Sequence, residues 1–332
     1  MEYNKDWVKD LDNLFKAIKK TNKGATSAQN ITHFDEPDLI YFCAVLSEIA
    51  YYQVSELEIN NDLHKRLKVF PCDGLKQVLQ QKKSNLIKNI DIEKNTESAQ
   101  TRVFLSESAA VFAYRQGKNI FFAFRGTVSA LDWRINFDFK KKSIIINPFY
   151  LECYCSPFKP AIKFHQGFAK EVVLLLEEIK NYIKEIKKAV KEDLQLFFTG
   201  HSQGGAMASI ASHIFYLKNY TVASYAFGAP RYMSAPLFEN NNYPVNIVRH
   251  GDIVPYLPPK VLGYDDFFFK KDLDLCEIRE ISTLVKLKMI TASFLNGHIN
   301  HKMERYREEL SARSDTKLPS NFFKKILNVH NN

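Results

Sequence analysis

The amino-acid sequence predicts an α/β fold, with a mostly parallel central sheet flanked by helices. Three observations predict it. From residue 101 onward, short β-rich runs alternate with longer amphipathic stretches, the pattern of βαβ units. The run "LQLFF" is apolar apart from Gln195, as suits a strand covered on both faces. A glycine-rich turn, "TGHSQGG", then leads from that run into a helix of small residues.

The elements follow in order. Trp7, Leu11, Leu14, Phe15 and Ile18 fall at helical spacing and predict an amphipathic first helix with a lysine-rich polar face. Residues 21–30 are polar and small and read as a linker. "EPDLIYFCAVLSEIAYYQ" predicts a buried helix with Pro37 in its first turn. Residues 76–100 are rich in Gln, Lys and Asn, and read as a weak helix followed by a loop. Strands are expected over 109–114 and 120–124, parted by Gly117 and Asn119. "EVVLLLEEIKNYIKEIKKAVKED" is a long amphipathic helix, "LQLFFTG" a buried strand and "GAMASIASHIFYLKN" a helix. "TVASYAFGAPR" and "VNIVRHGDIVP" are two further strands, each ending in turn residues. The expected organisation is an N-terminal helical segment (1–100) packing on a core (101–312), then a basic tail (313–332).

Composition narrows the function. The 332 residues are 45% hydrophobic and 25% charged, as in ordinary globular chains. The net charge of +9 is spread over short lysine runs such as Lys140–Lys142. Two readings of that charge stand, a solvated surface and attraction to an anionic membrane. Nucleic acid is not expected, because no zinc-finger, RRM-like or helix-turn-helix pattern occurs. Five cysteines at irregular spacing give no disulfide framework, and reduced thiols suit a cytosolic setting. "MEYNKDWVKDLDNLFKAIKK" has no apolar signal core, and no run of about 18 apolar residues occurs. The expected location is therefore cytoplasmic, or exported without a Sec signal, with no transmembrane segment.

The candidate chemistry sits in "TGHSQGGA". Gly200-His201-Ser202-Gln203-Gly204 fits G-x-S-x-G between a buried strand and a small-residue helix, the setting of a nucleophile elbow. On the turn alone, a reactive serine and a purely structural glycine turn both stand. A phosphate loop does not fit, since Ala206 and Met207 follow the last glycine where Lys and Ser or Thr are needed. A serine nucleophile needs a base, and the base needs an orienting acid, in the chain order Ser, acid, His. Asp252 follows the strand "VNIVRH"; Asp265 and Asp266 follow no comparable strand. His301 opens a helical stretch with Met303, Tyr306 and Leu310 in phase, and is preferred to the alternative base His298. His201 adjoins Ser202 on the elbow, where its side chain faces the serine poorly.

The stretches "FFAFRGTVSALDWRINFDF", "FHQGF", "FTGHSQGGAMA", "SYAFGAPR", "RHGDIVPYLP" and "HKMERY" occur in that order. Together they resemble the class 3 lipases, the fungal-lipase-like α/β-hydrolases, over residues 101–310. "IYFCAVLSEIAYYQ" is similar to that family's N-terminal helix. The resemblance implies Ser202 as nucleophile, Asp252 as acid and His301 as base. It further implies an oxyanion hole from the N–H and hydroxyl of Thr127 and the N–H of Gln203. Arg125 would anchor its loop, and His165 would order the loop before the long helix. "VSALDWRINFDF" stands where fungal lipases carry a lid, so Trp133 and Phe137 are candidate lid residues, with a fixed helix as the other reading. Gln203 replaces the usual Leu, and the segments before His165 and from Pro258 to Gly297 are long.

The expected activity is a serine lipase or esterase, phospholipase A-like in one variant, acting on acylglycerides or phospholipids without metal or cofactor. A hydrolase-fold binding or signalling module and an acyltransferase are the alternatives.

Overall fold

A computed structural model describes residues 6–21, 36–60, 99–106, 109–126, 144–145, 163–190, 192–216, 220–234, 244–266, 269–274, 276, 299–315, 317–320 and 322–323. The expectations for Thr127, Trp133, Phe137, His298 and nearly all of 76–100 lie outside these residues. The chain enters through helices α1 (Asp6–Thr21) and α2 (Glu36–Asn60). Strands β1 (Ala99–Leu105), β2 (Ala110–Gln116) and β3 (Asn119–Phe124) follow, then the short pair β4 (Ile144–Ile145) and β5 (Lys163–Phe164). Helix α3 (Gln166–Ala189), strand β6 (Gln195–His201), helix α4 (Gln203–Tyr216), and strands β7 (Thr221–Phe227), β8 (Val245–Ile247) and β9 (Phe269–Lys271) come next. Helix α5 (Met303–Ser311) closes the set, one residue after a 3-10 turn over Ile299–His301.

The main sheet runs β1-β2-β3-β6-β7-β8-β9. β1, β2 and β3 pair antiparallel; β3, β6, β7, β8 and β9 run parallel. This is the mostly parallel sheet flanked by helices that the alternation of runs predicts. The Gly117 turn joins β2 to β3, and the two strands reach closer to that turn than the expected bounds. β1 and β9 add to the expected strands. "AQTRVFL" starts in polar sequence, and β9 contributes only three residues.

Strand alternation sorts the core into two layers. Phe121, Ala123, Phe197, Ala223, Tyr225, Phe227 and Ile247 face α1, α2 and α5. Ile120, Phe122, Phe124, Leu196, Phe198, Val222 and Ala226 face α3 and α4. Both faces are buried, which is why "NIFFAF" and "QLFFTGH" lack polar alternation. Phe121 and Phe197 stack across β3 and β6 at 4.4 Å between centroids. Such a pair contributes about 0.5–1.5 kcal/mol beyond its buried area.

Polar contacts fix α1, α2 and α5 to the sheet and to each other. Ser47 of α2 shares a hydrogen bond of 3.0 Å with Thr199 of β6, whose hydroxyl donates to the Tyr225 carbonyl. Asp12 of α1 accepts from Gln116 at 3.0 Å. Arg307 of α5 pairs at 2.5 Å with Glu48, a buried carboxylate of α2. The segment read as a basic tail is anchored as well: Phe322 is fully buried in the same layer, and Arg307 lies 4.3 Å over the Phe323 ring. No described helix is long and apolar enough to cross a membrane.

Candidate active site

Ser202 stands between β6 and α4 with φ of 58°, the one non-glycine residue at positive φ among those described. The strain is held by backbone hydrogen bonds. Ser202 N–H donates to the Phe227 carbonyl of β7 at 2.9 Å, and Gly205 N–H donates to the Ser202 carbonyl at 3.0 Å. The close packing of elbow on strand explains Gly204. A Cβ there would run into the Phe124 carbonyl and lie 2.8 Å from Gly126 N. Gln203 opens α4, so its N–H belongs to a helical first turn, the end that favours developing negative charge.

Asp252 and His301 are brought together from distant parts of the chain. His301 Nδ1 lies 2.8 Å from Asp252 Oδ2. Asp252 Oδ1 accepts the Val254 N–H at 2.9 Å, and Oδ2 also accepts the Tyr306 hydroxyl at 2.6 Å. The carboxylate is buried, and the histidine side chain keeps 16% of its surface exposed. An acid held on both oxygens inside and an imidazole at the surface is the arrangement that orients a base for work at the solvent side.

The elbow and this pair share one end of the sheet. His201, next to Ser202, has its ring 4.5 Å from that of His301. Gly228, at the end of β7, packs against the Asp252, Tyr306 and His301 side chains. With φ of +57°, it would place a Cβ 2.7 Å from Asp252 Oδ2, 2.8 Å from Tyr306 Oη and 3.2 Å from His301 Cε1. Asp265 and Asp266 lie apart from this group. Asp266 accepts from Arg231 at 2.7 Å and from Lys270 at 2.5 Å. Burial opposes its charge, but Arg231 and Lys270 outweigh burial and hold its carboxyl well below the usual range. The Arg231 guanidinium also donates to the carbonyls of Tyr256 and Pro258, so this cluster braces the loop that follows Asp252.

Three further residues support the site, each inside a stretch that carries the family resemblance but given no role by the sequence reading: Tyr51, Tyr306 and Arg249. Tyr306 reads in the sequence as one of the apolar positions of α5. Its hydroxyl accepts the Arg249 N–H at 3.1 Å while donating to Asp252. Burial, then the Asp252 charge, push its phenol well above the usual range, so it remains a donor. The Arg249 side chain pairs with Glu309 and donates to the Asn300 carbonyl, tying the strand end to the histidine turn. His165 begins α3: its N–H donates to the Tyr232 carbonyl at 2.7 Å and its ring stacks on Phe168 at 4.0 Å. Burial lowers its pKa to about 4. Arg125 is buried beside Tyr51.

Residues 121–262 match the lipase (class 3) family. Ser202 and Asp252 fall inside that segment and His301 outside it. Over 151 residues the chain is 26% identical to the secreted mono- and diacylglycerol lipase 1 of Fusarium solani, covering 44% of this chain and 41% of that protein. The chain thus spans about two fifths of that relative's length. Among solved structures, the mono- and diacylglycerol lipase of Aspergillus oryzae is 20% identical, with 71% of this chain and 79% of that one covered and a TM-score of 0.49. The Rhizomucor miehei lipase propeptide complex is 19% identical, with coverages of 75% and 70% and a TM-score of 0.45. In the segment that carries both its elbow serine and its buried acid, the chain resembles the class 3 lipases.

Proposed function

We propose that the chain is a serine carboxylic ester hydrolase of lipase type that cleaves acylglycerols. Ser202 Oγ attacks the ester carbonyl while His301 takes its proton. His301, held by Asp252, then protonates the departing alcohol. Water, deprotonated by His301, releases the fatty acid from the acyl-enzyme. The N–H groups of Thr127 and Gln203 stabilise the oxyanion, and each such donor is worth roughly 100- to 1000-fold in turnover. Trp133 and Phe137 are proposed as part of a lid. This chemistry needs neither metal nor cofactor.

One observation carries the reading. A serine held at positive φ between strand and helix shares the same sheet end with a buried carboxylate–histidine pair. The name of the Fusarium relative supports mono- and diacylglycerols as the first substrates to try. A fluorophosphonate probe should label the wild-type chain and not Ser202→Ala, and the same substitution should abolish ester hydrolysis. Retained hydrolysis in Ser202→Ala defeats the reading. Failure of the wild type to label points to a binding module, and ester products formed from added alcohol point to acyl transfer.

The net charge of +9 supports an anionic phospholipid surface as the place of work. Vesicles of anionic phospholipid should bind the chain at low salt and release it at high salt. Preference for short soluble esters over vesicles defeats this part. The name of the same relative also supports export, which fractionation of expressing cells tests.

A further inference from the structure

Tyr51, on α2, is distant in sequence from the elbow, yet its hydroxyl lies 2.9 Å from Nδ1 of His201. The same hydroxyl receives the backbone N–H of Gly126. Gly126 follows β3 and leads directly into Thr127; His201 precedes Ser202. One phenol therefore joins the loop after β3 to the last residue of β6. The fit is close: a Cβ on Gly126 would strike the Tyr51 hydroxyl and come within 2.6 Å of the His201 carbonyl. On its far side, the His201 ring meets the His301 ring at 4.5 Å and the Tyr306 ring at 5.8 Å.

We propose that Tyr51 is a positioning residue for ester cleavage: through Gly126 N–H and His201 Nδ1 it sets the oxyanion-side loop and the His301 ring relative to Ser202. This rests on the reading of Ser202 as nucleophile. The hydrogen-bond roles are consistent. The phenol oxygen accepts from Gly126, so its proton goes to Nδ1 of a neutral imidazole. Burial, then the neighbouring His301, push His201 well below the usual imidazole range. Neutrality matters here, because a second cation beside His301 would oppose the imidazolium that forms during attack. Burial likewise pushes the Tyr51 phenol up, against the pull of Arg125 and the Gly126 N–H, so it keeps its proton. Tyr51 does not touch the reacting atoms in this role. It fixes distances, and misplacement by about 1 Å costs on the order of 100-fold in rate.

The experiment is a cycle of wild type, Tyr51→Phe, His201→Ala and the double variant. Hydrolysis of p-nitrophenyl butyrate and thermal melting are measured for each. Tyr51→Phe should lower kcat about 10- to 100-fold, with KM within about twofold. In the His201→Ala background the same change should cost several-fold less than in the wild type, since one of its two partners is gone and only the Gly126 contact remains. His201→Asn, which keeps an acceptor within reach of the phenol, should retain more kcat than His201→Ala whether or not Tyr51→Phe folds well. Full kcat in Tyr51→Phe, a loss confined to KM, equal losses in both backgrounds, or no advantage of His201→Asn each overturn the proposal. A wild type that neither hydrolyses the ester nor takes up a fluorophosphonate defeats the reading of Ser202 as well, which separates the two failures.

Discussion

Tyr306 donates its hydroxyl to the same carboxylate oxygen of Asp252 that holds His301, at 2.6 Å against 2.8 Å for the histidine. The proposed acid is thus gripped by two residues of one C-terminal segment, and by the Val254 N–H on its other oxygen. Tyr306→Phe removes one charge-assisted bond and leaves the ring packing. Turnover should fall about tenfold with KM nearly constant, because the carboxylate loses orientation and not its charge. Steady-state kinetics on a soluble ester check this, and an unchanged kcat counts against Tyr306 as a support of Asp252.

Gly228 separates geometric damage from backbone strain. Gly228→Ala puts a methyl against Asp252, Tyr306 and His301, so activity should drop at least about 100-fold. Gly117 has nearly the same φ, +59°, with nothing within 4 Å of an added methyl. Gly117→Ala should cost about 1 kcal/mol of stability and leave turnover alone. Comparable kinetics for the two variants would show that the space above Gly228 is not catalytic.

Two aspartates compete for the role of acid, and their variants should fail differently. Asp252→Asn should lower kcat by roughly 10⁴-fold while the chain stays folded. Asp266→Asn leaves the buried Arg231 guanidinium without its carboxylate and should destabilise by about 3–5 kcal/mol. Denaturant unfolding and kcat measured on both variants decide between them. A folded Asp252→Asn with normal turnover defeats the assignment.

Stability should fall in acid for a reason outside the site. His213 is buried against Tyr232 at 2.8 Å, and burial lowers its pKa to about 4. Its folded pKa lies below the unfolded value of about 6.5, so the unfolded chain binds the extra proton between them. The His213 contribution is therefore complete above about pH 6.5 and is lost as pH falls through about 4. His213→Gln keeps a hydrogen-bonding side chain and cannot titrate. Melting temperatures of this variant should fall less steeply from pH 6.5 to 4 than those of the wild type. Equal slopes would place the acid sensitivity at other groups, such as His165.

The parallel strands are legible in the sequence because burial on both faces leaves consecutive apolar residues at their centres, as in the "IFFAF" of β3 and the "LFF" of β6. The elbow is legible because its glycines answer a local steric demand. Asp252 and His301 can be named from chain order and strand ends, and the structure sets them in contact. Contacts whose partners lie far apart leave no such trace. Tyr51 and Tyr306 sit at helix positions that read as apolar, and each hydroxyl acquires its purpose from a residue 150 or 54 positions away. β9 escapes a sequence reading because three residues carry too short a pattern to stand out.

The Glu48–Arg307 ion pair and the hydrogen bond from Ser314 to the buried Asp38 fasten the last described helix onto α2. His301 precedes that helix by one residue, and the serine and aspartate precede it by a long stretch of chain. On the proposed assignment, a ribosome-bound chain extended just past Asp252 would carry the nucleophile and the acid but not the His301 base. Under that proposal acyl transfer begins only after α5 has emerged and docked, so the order of translation itself would keep Ser202 silent until the fold around it is in place.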